Sequence, residues 1–151
     1  MSNVPAAALR ETPSVADEVW IATALRHVES PDRKDFTVQE IVARAKREGL
    51  HKPLRPSVYV HAVQHCVANR PPNPGRYRML FGTGKTTRRL FRPGDDVHPA
   101  RQGAKAAPSR EALPDDYRHL LDWYEREYAP LHPTRHPLDA ILELSGLGRD
   151  I

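Results

Sequence analysis

Apolar residues recur at helical spacing in four stretches of this chain and alternate in a fifth. After Ser14, the positions Trp20, Ala24 and Val28 fall on one stripe with Ile21 and Leu25 beside them, which predicts a core-facing helix of about four turns. Ser14 and Asp17 have capping-box spacing at its start. Thr37 and Glu40 repeat that spacing, and Val38, Ile41, Val42 and Ala45 follow at i, i+3, i+4 and i+7. Gly49 is placed to end this second helix in the left-handed conformation, with Leu50 packing back. A third helix is expected from Ser57 to near Asn69, with Val60, Val63 and Val67 inward beside Tyr59 and Cys66, and His61, Gln64, His65 and Ala68 outward.

Pro71-Pro72-Asn73-Pro74-Gly75 cannot be helix. Beyond it, Tyr77, Met79 and Phe81 alternate with Arg76 and Arg78. Gly82-Thr83-Gly84-Lys85 supplies turn chemistry, and Thr86 to Arg92 returns as a second strand. From Val97 to Arg110 no periodicity survives. Tyr117, Leu120, Leu121 and Tyr124 then mark a helix over 114–128, and a last short helix is expected over 137–145. With Trp123 and Tyr128, the 114–128 helix is rich in aromatics, suited either to packing on the body or to a dimer or partner face. The expected organisation is a disordered start over 1–13, an α+β domain over 14–96, a linker over 97–113 and a C-terminal helical arm over 114–151.

Charge sharpens the picture. From Arg44 to Arg92 the chain carries twelve Lys and Arg against one acid, Glu48. Residues 1–110 hold 19 Lys and Arg against 10 acids, whereas 111–151 hold 4 against 9. A basic body and an acidic tail suggest two surfaces with different partners. The single cysteine, Cys66, rules out an internal disulfide framework and fits a cytoplasmic setting. No apolar run approaches the roughly 20 residues needed to span a membrane, and no secretory core follows Met1.

Helix, short strand at Phe36-Thr37, helix, turn, helix and hairpin, in that order, resemble the winged helix-turn-helix family over residues 14–92. The resemblance implies a third helix that enters the major groove of double-stranded DNA and a hairpin wing that lies on the backbone. In those roles Gln64 pairs with an adenine edge, and His61 and His65 donate to bases or phosphates. Arg76, Arg78, Lys85, Arg88 and Arg89 would neutralise phosphates; with about five neutralised, log affinity should fall against log salt with a slope of about −4 to −5.

Rival chemistry is weaker. Gly82-Thr83-Gly84-Lys85-Thr86 misses the phosphate-loop spacing, because Met79 stands where the first glycine belongs and no helix pattern follows. His61 and His65 share a face, but Cys66 points about 100° away and no fourth metal ligand is evident. No nucleophile–base–acid set stands out, so neither an enzyme nor a cofactor is expected. Tyr77 could stack a base of single-stranded RNA, but such binders use several platforms. A winged helix used only as a protein-interaction or scaffold module is the alternative from another class.

The segment from His136 to Ile151 carries Pro137, Leu138, Leu142, Gly146, Gly148, Arg149, Asp150 and Ile151. It resembles the toxin-neutralising tail of VapB-type antitoxins. That resemblance implies a PIN-domain ribonuclease toxin as partner, held by Leu138, Ile141 and Leu142, with Arg149 reaching the acidic metal site. An always-charged guanidinium suits clustered carboxylates. The combined expectation is a VapB-like antitoxin and transcriptional repressor.

Overall fold

A computed structural model describes residues 12–72 and 77–131. Among these residues the fold is α+β, with four helices and one small antiparallel sheet. The helices are α1 (Val15–Glu29), α2 (Val38–Glu48), α3 (Ser57–Val60, continued by a π-helical turn His61–His65) and α4 (Arg118–Trp123). A 3-10 turn, Asp115–Tyr117, leads into α4, and a π-helical turn, Tyr124–Tyr128, follows it. The strands are β1 (Phe36–Thr37), β2 (Leu80–Gly82) and β3 (Thr87–Leu90), ordered β1-β3-β2. Phe36 pairs with Arg88 and Thr37 with Thr87 on one side of β3, while Leu80, Phe81 and Gly82 pair with Leu90, Arg89 and Arg88 on the other.

The capping signals form by half at α1 and in full at α2. Ser14 accepts a hydrogen bond from the Asp17 amide at 3.1 Å, but the Asp17 carboxylate makes no return bond to the Ser14 amide among the described residues. Thr37 and Glu40 close a full reciprocal capping box. Glu40 also takes both Arg33 and Arg26, and these hydrogen bonds hold its carboxyl down to about 2. Gly49 ends α2 at φ 70°, and its amide reaches the Ala45 carbonyl.

α1 is the centre of the core. It contacts α2, α3, β3 and α4, so Val19, Trp20, Ile21 and Ala24 are fully buried, and so are its acids Asp17 and Glu18. Val28, expected on the same stripe, stays exposed. Glu18 is kept tolerable by an ion pair with Arg55 at 2.5 Å, since a buried charge needs a partner.

α3 is shorter than expected and turned. It ends at His65, and its inward side is made by Val58, Ala62 and Cys66; Cys66 is buried as expected, whereas Tyr59 and Val60 are exposed and Ala68, expected outward, is buried. Cys66 and Val67 leave the helix and bridge to Leu80.

The segment 97–113, expected as a linker, packs against the body. Arg101 is wholly buried without a carboxylate. Its five donors reach the carbonyls of Gln64, His65, Arg70, Pro71 and Tyr77. α4 then closes over α1 and the end of β3. Tyr124 stands edge-on to Trp20, and the Tyr124 and Tyr128 hydroxyls donate to the carbonyls of Phe91 and Leu90. The aromatic residues Tyr124 and Tyr128 of the arm therefore serve packing. The expected helix 137–145 lies outside the described residues.

Candidate nucleic-acid interface

Pairing explains which cations face water. β3 is the central strand, and Arg88, Arg89 and Leu90 on it are buried, while Thr87 at its start is partly exposed. The expectation that Arg88 and Arg89 hold phosphates is overturned on this ground. Arg88 is 1% exposed. Its Nε donates to the Ala62 carbonyl, Nη2 to Val63 and Nη1 to Thr87 and Gly84, so it caps the last turn of α3 and ties it to the hairpin. Burial, with Arg70 nearby, pushes its pKa down to about 10. Arg89 is buried in a two-point ion pair with Asp95 at 2.7 and 3.0 Å, its guanidinium over the Phe81 ring.

Arg78 is also turned from its expected role. Its Nε donates to the Ala104 carbonyl at 2.6 Å and its guanidinium lies over Phe91. It lines a cleft of about 660 Å³ with Pro93, Asp95, Asp96 and Tyr124, away from α3. Arg76 lies outside the described residues, as do Leu138, Ile141, Leu142 and Arg149.

The expected base readers are partly engaged by their own chain. The Gln64 amide donates to the Pro71 carbonyl. His61 Nδ1 donates to the Ser57 carbonyl at 2.9 Å, because a carbonyl can only accept. Burial lowers the His61 pKa. The His61 and His65 rings meet edge to face at 4.8 Å, and His65 Nδ1 is buried with no hydrogen-bond partner among the described residues. Cys66 lies beneath them, wholly buried, where desolvation raises its thiol pKa and keeps it inert. The outermost side chains of α3 are instead Tyr59, 54% exposed, and Val60, 42% exposed.

One groove remains where the start of α2, the outer side of α3 and the hairpin meet. It encloses about 280 Å³ and is lined by Val38, Gln39, Tyr59, Val63, Arg70, Lys85, Thr86 and Arg88, a set with three cations and no carboxylate. The Gly82–Lys85 stretch forms the hairpin tip rather than a nucleotide loop: β3 follows it, not a helix. Asn69 fixes that tip, its amide bonding both the N–H and the C=O of Gly82 at 2.8 and 2.9 Å. A methyl group at Gly82 would sit 3.3 Å from the Asn69 oxygen, so the close approach favours glycine. Thr83 donates to Asp35 at 2.7 Å. Arg70 donates Nη2 to the carbonyls of Gly84 and Lys85. Its Nε and Nη1 have no hydrogen-bond partner among the described residues, and Lys85 has no carboxylate partner there either.

Sequence reasoning found Lys85 but missed Arg70, Gln39, Asn69 and Arg101. Arg70 and Asn69 were hidden because they follow a helix that was drawn too long. No group of three or more His, Cys, Asp or Glu among the described residues could hold a metal ion. No described helix is long and apolar enough to cross a membrane. No family model, curated protein or solved structure matches the chain.

Proposed function

We propose that this chain is a winged helix-turn-helix protein that binds double-stranded DNA through the groove between α2, α3 and the hairpin. The observation that carries this reading is the groove itself. Cations are gathered there without acids, in a fold whose third helix and hairpin meet at one surface. Such crowding of like charge is unfavourable in the free protein and is relieved by a polyanion. Lys85 and Arg70 hold phosphates, and Gln39 is placed to hydrogen-bond at the groove mouth.

The test is fluorescence anisotropy with a labelled duplex across a salt series. Lys85→Ala should weaken binding to every sequence alike and make the salt slope shallower by about 1. Arg126→Ala, on the exposed side of the turn after α4, should change neither. Equal slopes for Lys85→Ala and the parent would remove Lys85 from the interface.

The exposed Tyr59 and Val60 favour a second reading, a protein-docking module. Absence of duplex binding at low salt would select it. The antitoxin half of the function rests on the sequence of residues 136–151 alone, with Arg149 as the toxin-facing cation. Its test is co-purification with a PIN-domain protein, lost on Arg149→Ala.

A further inference from the structure

The groove has a mixed lining. Val38, Val63 and the Tyr59 ring supply apolar surface, and Arg70, Lys85 and Arg88 supply charge. An apolar recess is an odd provision for gripping an intact duplex. Paired bases offer only edges in the grooves, and the sugar-phosphate backbone is polar and charged. Phosphate contacts alone would be served by a flat cationic surface.

Tyr59 adds a second observation. It is more than half exposed, and its ring stacks on no other aromatic and its hydroxyl makes no hydrogen bond among the described residues. An unpartnered aromatic beside cations is the arrangement in which an unstacked base is held, ring on ring, while its phosphate meets the charge. The volume of about 280 Å³ lies at the small end for ligand sites, which suits one nucleotide rather than a strand. Arg70 is fixed through Nη2, so its open Nε and Nη1 are presented without reorganisation.

We infer that the groove takes one unpaired nucleotide of an otherwise duplex DNA, with the base against Tyr59, Val38 and Val63 and the phosphate on Arg70 and Lys85. This rests on the DNA-binding reading above and narrows its substrate to duplexes carrying an unpaired base. The base is accepted by its face, so its identity matters little.

The experiment uses the full chain and two blunt-ended duplexes of equal length, one fully paired and one with a single unpaired adenosine at its centre. Anisotropy at about 50 mM salt should show about tenfold tighter binding to the second, the scale expected for one base–aromatic stack. Tyr59→Ala should remove the preference, and Tyr59→Phe should keep it, since the ring and not the hydroxyl does the stacking. Equal affinity for the two DNAs, or a preference that survives Tyr59→Ala, overturns the inference and leaves duplex binding standing. Failure to bind either DNA overturns the DNA-binding reading itself.

Discussion

Replacing Arg88 by methionine separates a structural arginine from a phosphate ligand. The side chain is 1% exposed and donates to four carbonyls within 3.2 Å, those of Ala62, Val63, Gly84 and Thr87. Hydrogen bonds from a charged donor contribute about 1.5–3 kcal/mol each before desolvation of the ion is counted. That desolvation is considerable here, as the fall in pKa to about 10 indicates. Methionine fills much of the volume but leaves the α3 carbonyls without a donor. A buried carbonyl left without a donor costs about 1–3 kcal/mol, so the two on α3 together cost about 2–6 kcal/mol. For a chain of this size that lowers the melting temperature by about 4–24 °C. Urea and thermal unfolding, followed by tryptophan fluorescence and circular dichroism, measure the loss. Duplex binding by Arg88→Met, measured where the variant is folded, should keep the parent salt slope. A variant unfolding within about 1 kcal/mol of the parent, yet with a slope shallower by about 1, would refute this and return Arg88 to the phosphate contacts.

Two further outcomes follow from buried groups. His27 accepts the Leu90 amide at Nε2, 3.2 Å away, and burial beside Arg92 and Arg89 pushes its pKa down to about 3. The unfolded chain, near 6.5, takes the proton first, so this contribution is complete above about pH 6.5. It is lost as pH falls, at up to about 1.4 kcal/mol per pH unit. Urea unfolding at pH 7 and pH 5 should show this fall, reduced in His27→Gln; a stability unchanged between those pH values would contradict it. Arg101→Leu takes a donor from five carbonyls, of which those of Gln64 and Pro71 keep another, and should destabilise the chain by about 1–3 kcal/mol for each carbonyl left unsatisfied, with Gln64 and His65 amides exchanging faster by hydrogen–deuterium exchange. Unchanged exchange at both positions would show that the buried guanidinium does not hold α3.

What the sequence made legible was local. The Thr37–Glu40 box and Gly49 set the ends of α2 through contacts within a few residues, and the spacing of Leu120, Leu121 and Tyr124 marked α4. Alternation in the hairpin was legible too, but alternation defines two faces without saying whether either meets water. Arg88 is buried because the end of α3, some twenty-five residues earlier, lies over it, and Arg89 because Asp95 and the Phe81 ring cover it. α3 was turned about its axis for a related reason. Val58, Ala62 and Cys66, at i, i+4 and i+8, face the core, which leaves Tyr59 and Val60 outside. The π-helical turn, with its wider spacing, also shifts the phase on which a 3.6-residue count relies. The segment 97–113 showed no pattern because its order comes from 3-10 turns and one inserted side chain, Arg101. The groove was half visible for the same reasons: Lys85 could be placed on the hairpin tip, while Arg70 joins it only through the tertiary contact with Gly84 and Lys85.

The salt dependence of duplex affinity tests the central claim most directly. Five phosphate contacts, as the charge of the hairpin alone suggests, would give a slope near −4 to −5. With Arg88 and Arg89 buried and Arg78 turned away, the groove offers Lys85 and Arg70, Arg76 outside the described residues can add one more, and log affinity against log salt should fall with a slope of about −2 to −3. Measurable binding at about 50 mM salt with that slope is the expected result. No binding at that salt concentration, or an affinity indifferent to salt, would contradict it.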